Sequence, residues 1–269
     1  AEDESDEVFR RNGKTCVPGF GMTPGVTQMM AMHAANQLDT VDSVRVSHGA
    51  FRPIAFSRSI TETTTYEYDP HLPGRVVGKT VQYIIPHAET KTLAKALADK
   101  QVRLIEVRGT WPAKNMQLVR AMYDWGIMRN DKITVNGAEI GILDCIGEYL
   151  FHSKEGQETE LYGYSLHVEV IGTKDGKKVQ HVLYHTHPAS DGSVPGWEKL
   201  RAYTRNVGIP MAIATELLAK GRVEGAAVLI PEEAFYPAEI FAELEKRGIH
   251  MHEEVTQLGA ENESMSVIL

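Results

Sequence analysis

Positive charge, cysteine and long apolar runs are all scarce in this sequence. Lys and Arg number 28 against 36 Asp and Glu, a net charge of −8, and no basic run or stripe interrupts that balance. Nucleic-acid binding needs clustered Lys and Arg to neutralise phosphates, so nucleic acid is not an expected partner. No apolar stretch approaches the roughly 18 residues of a membrane span. The opening AEDESDEVFRRNGK is acidic and then basic, unlike a signal peptide, and no membrane partner is expected. Two cysteines, Cys16 and Cys145, cannot build a disulfide framework. Beside 10 methionines they point to a reducing, cytoplasmic setting. Cys145 sits inside the apolar ILDCIGEYL and is expected to be a small buried hydrophobe. The nucleophile elbow G-x-S-x-G is missing, and no carboxylate pair stands out. The first residue is Ala rather than Met, which reads as a processed chain or a fragment.

What is present can fill a core. The 269 residues are 42% hydrophobic, enough for one large domain or two small ones. Residues 4–12 read as the end of a helix stopped by Gly13, 14–18 as a strand, and 24–38 as a helix. SVRVSHG and VRLIEVRG read as strands, and VVGKTVQYII as the clearest strand of residues 51–85. Residues 91–99 read as a short helix, and Pro112 opens another that runs to Gly126. Asn136-Gly137 in ITVNGAEIGI and Asp175-Gly176 in SLHVEVIGTKDGKKVQHVLYHTH supply the positive φ angles of tight hairpin turns. A long helical region spans about 195–220, and Pro237 to Gly248 frames the last helix. Hairpin strands with helices laid on one side predict an α+β fold with a mixed sheet.

One loop invites a nucleotide reading. Gly19, Gly21 and Gly25 lie between a strand and a helix, as in a dinucleotide fingerprint. The spacing is one residue too long, and Pro18 and Pro24 remove amides that would face a phosphate. SVRVSHG ends in His48 and Gly49, without an acidic ribose ligand. The alternative is a tight turn into a helix, with Thr23 as N-cap, Pro24 in the first helical position, and Val26, Met30, Ala34 and Leu38 on one face.

Other residues carry chemistry of their own. His48 in VSHGAF, Arg108 in EVRGTWP and Tyr203-Thr204 in RAYTRNVGIP sit beside strand ends or glycines. His48 suits proton transfer near neutral pH, Arg108 suits a bidentate carboxylate contact, and Tyr203 suits donation or stacking. For each, a purely structural role is the competing reading. His181, His185 and His187 alternate along one strand, and His250 and His252 repeat the spacing. A metal would need a further converging ligand, so no metal ligand is assigned.

Four segments, in order, resemble a known family. They are VPGFGMTPGVTQMMA, IEVRGTWPAKNMQLVRAMYDWGIM, HVEVIGTKDGKKVQHVLYH and AYTRNVGIPMAIATELLAKGRVEGAAVLIPEEAF. Together they resemble the saccharopine dehydrogenase-like oxidoreductases, and within them the L-lysine 6-dehydrogenase-type proteins. The resemblance implies that residues 1–23 are the tail of a nucleotide-binding domain otherwise outside this chain. It implies that 24–269 form the substrate-binding and dimerisation domain of a two-domain, Rossmann-type dehydrogenase. The glycines at 19, 21 and 25 then form the joint between domains, with Gly21, Met22 and Thr23 near the nicotinamide of NAD or NADP. The cofactor would be held mostly by the other domain. The expected partners are a small amine or amino-acid substrate and a second copy of the chain in a homodimer. His48, Arg108, Tyr203 and Thr204 become the candidates for substrate contact or proton transfer. HTHPASDGSVPGWEK is richer in His and Trp than the family leads one to expect, which counts against lysine itself as substrate. Two alternatives stay open: a non-catalytic pairing subunit, and a metal enzyme using His185 and His187.

Overall fold

A computed structural model describes residues 2–51, 74–77, 80–110, 113–128, 131–152, 163–186, 188–198 and 200–259. Its centre is a seven-stranded mixed sheet in the order β2-β3-β4-β1-β7-β8-β9. These strands are β1 (Thr40–Phe51), β2 (Gly74–Val77), β3 (Thr80–Ile84), β4 (Leu104–Thr110), β7 (Gly163–Lys174), β8 (Lys177–Thr186) and β9 (His250–Gln257). Only β1 and β4 run parallel; each other neighbouring pair is antiparallel. A separate hairpin holds β5 (Lys132–Val135) and β6 (Ala138–Gly141).

The helices are α1 (Glu2–Arg11), α2 (Val26–Ala35), α3 (Glu89–Ala96), α4 (Ala113–Asp124), α5 (Ile142–His152), α6 (Leu200–Ala219), α7 (Pro231–Ala234) and α8 (Pro237–Glu245). The α+β expectation holds. The β-branched and aliphatic residues of alternate strand positions face α2 and its neighbours: Val44 and Val46, Val107, Leu166, Val168 and Val170, and Leu183. The tight turns formed where their residues predicted, with φ of 51° and 84° at Asn136 and Gly137 and 50° and 74° at Asp175 and Gly176. Lys174 pairs with Lys177 across the second turn, which sets the register of the β7–β8 hairpin.

Four local expectations are corrected. VVGKTVQYII is not one strand but two, since β2 and β3 fold back as a hairpin with Val77 opposite Thr80. Helix α2 starts at Val26 with Gly25 as N-cap, because Thr23 and Pro24 belong to the preceding turn. It is buried almost all round rather than on one face: eight of its ten residues are buried between the sheet, α7 and α8. Cys145 is exposed, because α5 buries the stripe around Leu143 and Gly147, and Cys145 lies off that stripe.

The start of the chain is tied to a distant segment. Cys16 and Val228 form a parallel bridge, with Cys16 N donating to Ala227 O at 2.9 Å and Leu229 N to Cys16 O at 2.9 Å. Asp6 accepts from the Val228 amide at 2.8 Å and fastens α1 to the same segment. No helix among the described residues is long and apolar enough to cross a membrane.

Candidate active site

The turn at residues 19–25 brings several elements together. Gly21 N donates to Pro24 O at 2.7 Å, Val26 N to Gly21 O at 2.9 Å, and Thr27 N to Met22 O at 3.0 Å. Gly25 N donates to the Gln28 side chain at 2.5 Å. The amides of Gly21, Gly25, Val26 and Thr27 are therefore spent inside the turn, and the start of α2 does not fit a pyrophosphate. Gly25 takes φ 123°, and a Cβ there would stand 2.3 Å from Gly21 O. Only glycine closes this turn.

Thr23 leaves the turn pointing at a buried carboxylate. Its hydroxyl donates to Glu89 Oε1 at 2.7 Å, and Thr27 donates to the same oxygen at 2.8 Å. The other oxygen of Glu89 pairs with Nδ1 of His87, which lies in the link between β3 and α3. Glu89 is fully buried. Burial alone would raise its pKa, but the His87 hydrogen bond and charge, with Thr23 behind them, bring it down to about 2. An ionised Glu89 holds a proton on His87 Nδ1, so Nε2 is the ring nitrogen at which a proton is gained or lost.

Around His87 the sheet contributes three more rings. His48, at the end of β1, has its ring centroid 5.9 Å from that of His87 and 6.4 Å from that of Tyr164 on β7. Tyr164 meets His185 of β8 edge-on at 6.2 Å. This cluster lies by the C-terminal end of parallel β1 and the N-termini of α2 and α3. It brings together three groups singled out in the sequence, Thr23, His48 and His185, with two that sequence reasoning missed, His87 and Glu89. The available signal was PHAET directly after a strand: a histidine and a carboxylate two residues apart at a strand-to-helix link. Beside it, Gln28 donates to Thr92 at 2.8 Å. Glu232 comes up to that pair without a well-formed hydrogen bond, and burial pushes its pKa up.

Arg108 is not in this cluster. Across β1 and β4, Ser47 pairs with Arg108 and His48 with Gly109. Alternation then sends His48 to the helix-covered face with Val44 and Val46, and Arg108 to the opposite one. There Arg108 pairs with Glu106, Glu106 lies 3.6 Å from Arg45, and Arg45 donates to Glu169 at 2.6 Å. Tyr203 and Thr204 lie on α6, Thr204 at the surface; the Tyr203 side chain is outside the described residues. Met22 is buried in the core, and Gly21 faces Val207 of α6. His181 is held by Glu253 at 2.8 Å. His252 stacks on Tyr184, on the sheet face opposite His185, and the side chain of His187 lies outside the described residues.

A mixed sheet with buried helices on one face and an acid–imidazole cluster at a parallel strand end places the chain in the α+β class. A family model for the saccharopine dehydrogenase C-terminal domain matches residues 52–249, and the chain belongs to that family. Among solved structures it is similar to the apo histidine-tagged saccharopine dehydrogenase (L-Glu forming) from Saccharomyces cerevisiae. The TM-score is 0.67 at 14% identity, over 94% of this chain and 77% of that one, a likeness of fold.

Proposed function

We propose that this chain is the substrate-binding and dimerisation part of an NAD(P)-dependent oxidoreductase acting on a C–N bond of an amino acid or related amine. The family supports the reaction class. The observation that carries the site is Glu89, which holds Thr23 of the joint and His87 of the cluster at once. In this reading residues 1–23 close a nucleotide-binding domain, and 24–269 form the substrate domain. The amides at the start of α2 are spent inside the turn, so that other domain holds the dinucleotide, and the nicotinamide supplies the hydride chemistry.

The chain's own part is proton transfer and orientation. His87 Nε2 takes or returns the proton on the substrate nitrogen as the C–N bond changes order, with Glu89 keeping the imidazole oriented and stabilising it when charged. His48 and Tyr164 wall the site and exclude water. Thr23 fastens the joint to Glu89, so the domain carrying the nicotinamide and the proton-transfer group are held in one register. Leu118, Trp125, Ile133, Val135 and Tyr149 are exposed apolar side chains within a single stretch of chain, which supports pairing with a second copy.

The test is His87→Gln in the enzyme with its nucleotide-binding portion, followed by NAD(P)H absorbance with amine and amino-acid substrates. Loss of kcat by about 10²–10⁴-fold is expected. An unchanged kcat and pH profile would remove His87 from the reaction.

A further inference from the structure

Helix α6 carries one polar residue in an otherwise apolar stripe. Asn206, Pro210, Ile213, Ala214 and Leu217 are all buried. Asn206 is 1% exposed, and neither Oδ1 nor Nδ2 makes a hydrogen bond. Buried carboxamides are nearly always paired, so an orphan of this kind calls for a ligand or a cause. A second feature lies at the same residue. Pro210 stands four residues on, inside the helix, and has no N–H to give the Asn206 backbone carbonyl. Asn206 thus offers two carbonyl oxygens that lack their usual donor and one unpaired N–H₂ group.

Its location ties it to the joint. The neighbouring Val207 lies 3.6 Å from where a Cβ on Gly21 would stand. Both polar atoms of Asn206 are closed to solvent. A ligand reaches them only when the N-terminal half of α6 shifts, and Gly208 and Pro210 mark where a helix bends.

We infer that Asn206 and the carbonyl left open by Pro210 bind the head group of an α-amino acid. Its ammonium donates to Oδ1 and to the backbone carbonyl, and its carboxylate accepts from Nδ2. This assignment rests on the proposed amine or amino-acid substrate and adds the residue that would select it.

The experiment is thermal melting of the full chain, wild type and variants, with millimolar L-lysine or L-glutamate. 6-Aminohexanoate and glutarate, the same chains without the α-amine, serve as controls. Wild type is expected to gain Tm with the two amino acids and not with the controls. Asn206→Leu removes an unpaired buried amide while keeping the number and branching of the side-chain heavy atoms. It is expected to raise Tm by about 3 °C or more while abolishing the response to the amino acids. Pro210→Ala returns a donor to the Asn206 carbonyl and is expected to raise Tm and weaken the response several-fold. A lower Tm for Asn206→Leu would make Asn206 a structural residue and overturn the inference. So would an undiminished amino-acid response in that variant, an equal response of wild type to the controls, or no response of wild type to either amino acid. The proposed reaction fails separately, through His87→Gln, which leaves these melting shifts in place.

Discussion

Replacing Glu89 by glutamine removes a charge and almost nothing else. The carboxylate is fully buried and accepts from Thr23 at 2.7 Å and Thr27 at 2.8 Å while facing His87. A carboxyl brought from its ordinary 4.5 to about 2 contributes about 3 kcal/mol to folding at neutral pH. Breaking a buried ion pair from one side costs about 3–5 kcal/mol by independent reasoning, so the two routes agree. The folded pKa lies below the unfolded one. The contribution is therefore complete above about pH 4.5 and is lost as pH falls toward 2. Urea denaturation of wild type and Glu89→Gln across that range measures it. At neutral pH the variant should show a lower midpoint with an unchanged m-value, and the gap should close as pH falls. Equal midpoints at neutral pH, or a gap independent of pH, would refute the claim that an ionised Glu89 holds the joint to the cluster.

Gly25→Ala should cost more than about 4 kcal/mol or give insoluble protein, because the added Cβ would meet Gly21 O at 2.3 Å in a backbone of φ 123°. A soluble variant melting within a degree of wild type would contradict the turn. Arg108→Ala should destabilise by about 3–5 kcal/mol, since buried Glu106 would keep only Arg45 at 3.6 Å; a midpoint unchanged in urea would show that the pair contributes nothing. Cys145 should react with a thiol reagent under native conditions well before the half-buried Cys16, and Cys145→Ser should leave Tm unchanged; mass spectrometry of the labelled protein decides the order.

Local chemistry made much of the fold legible. Asn136-Gly137 and Asp175-Gly176 set their hairpins because few residue pairs tolerate two positive φ angles in succession. Pro237 and Gly248 framed the last helix for similar reasons. Readings that depended on neighbours failed. The apolar pattern of α2 is compatible with a half-buried helix, and only its place between the sheet, α7 and α8 buries it on nearly every side. The exposure of Cys145 follows from which side of α5 meets the protein, which the apolar run ILDCIGEYL does not specify.

The site divides along the same line. Thr23, His48 and Arg108 were visible because strand ends and glycine turns are local features. The face each one takes was not, since His48 and Arg108 sit in different strands and only the β1–β4 register sends them to opposite sides of the sheet. His87 and Glu89 lie 64 and 66 residues beyond Thr23, and nothing local marks them as its partners. The sequence by itself determined the Asn136-Gly137 and Asp175-Gly176 turns, the alternation of the strands and the two amides that Pro18 and Pro24 remove from the glycine loop. The tertiary structure alone decided which polar groups were buried together, because desolvation and pairing act between residues that the chain brings into contact only on folding.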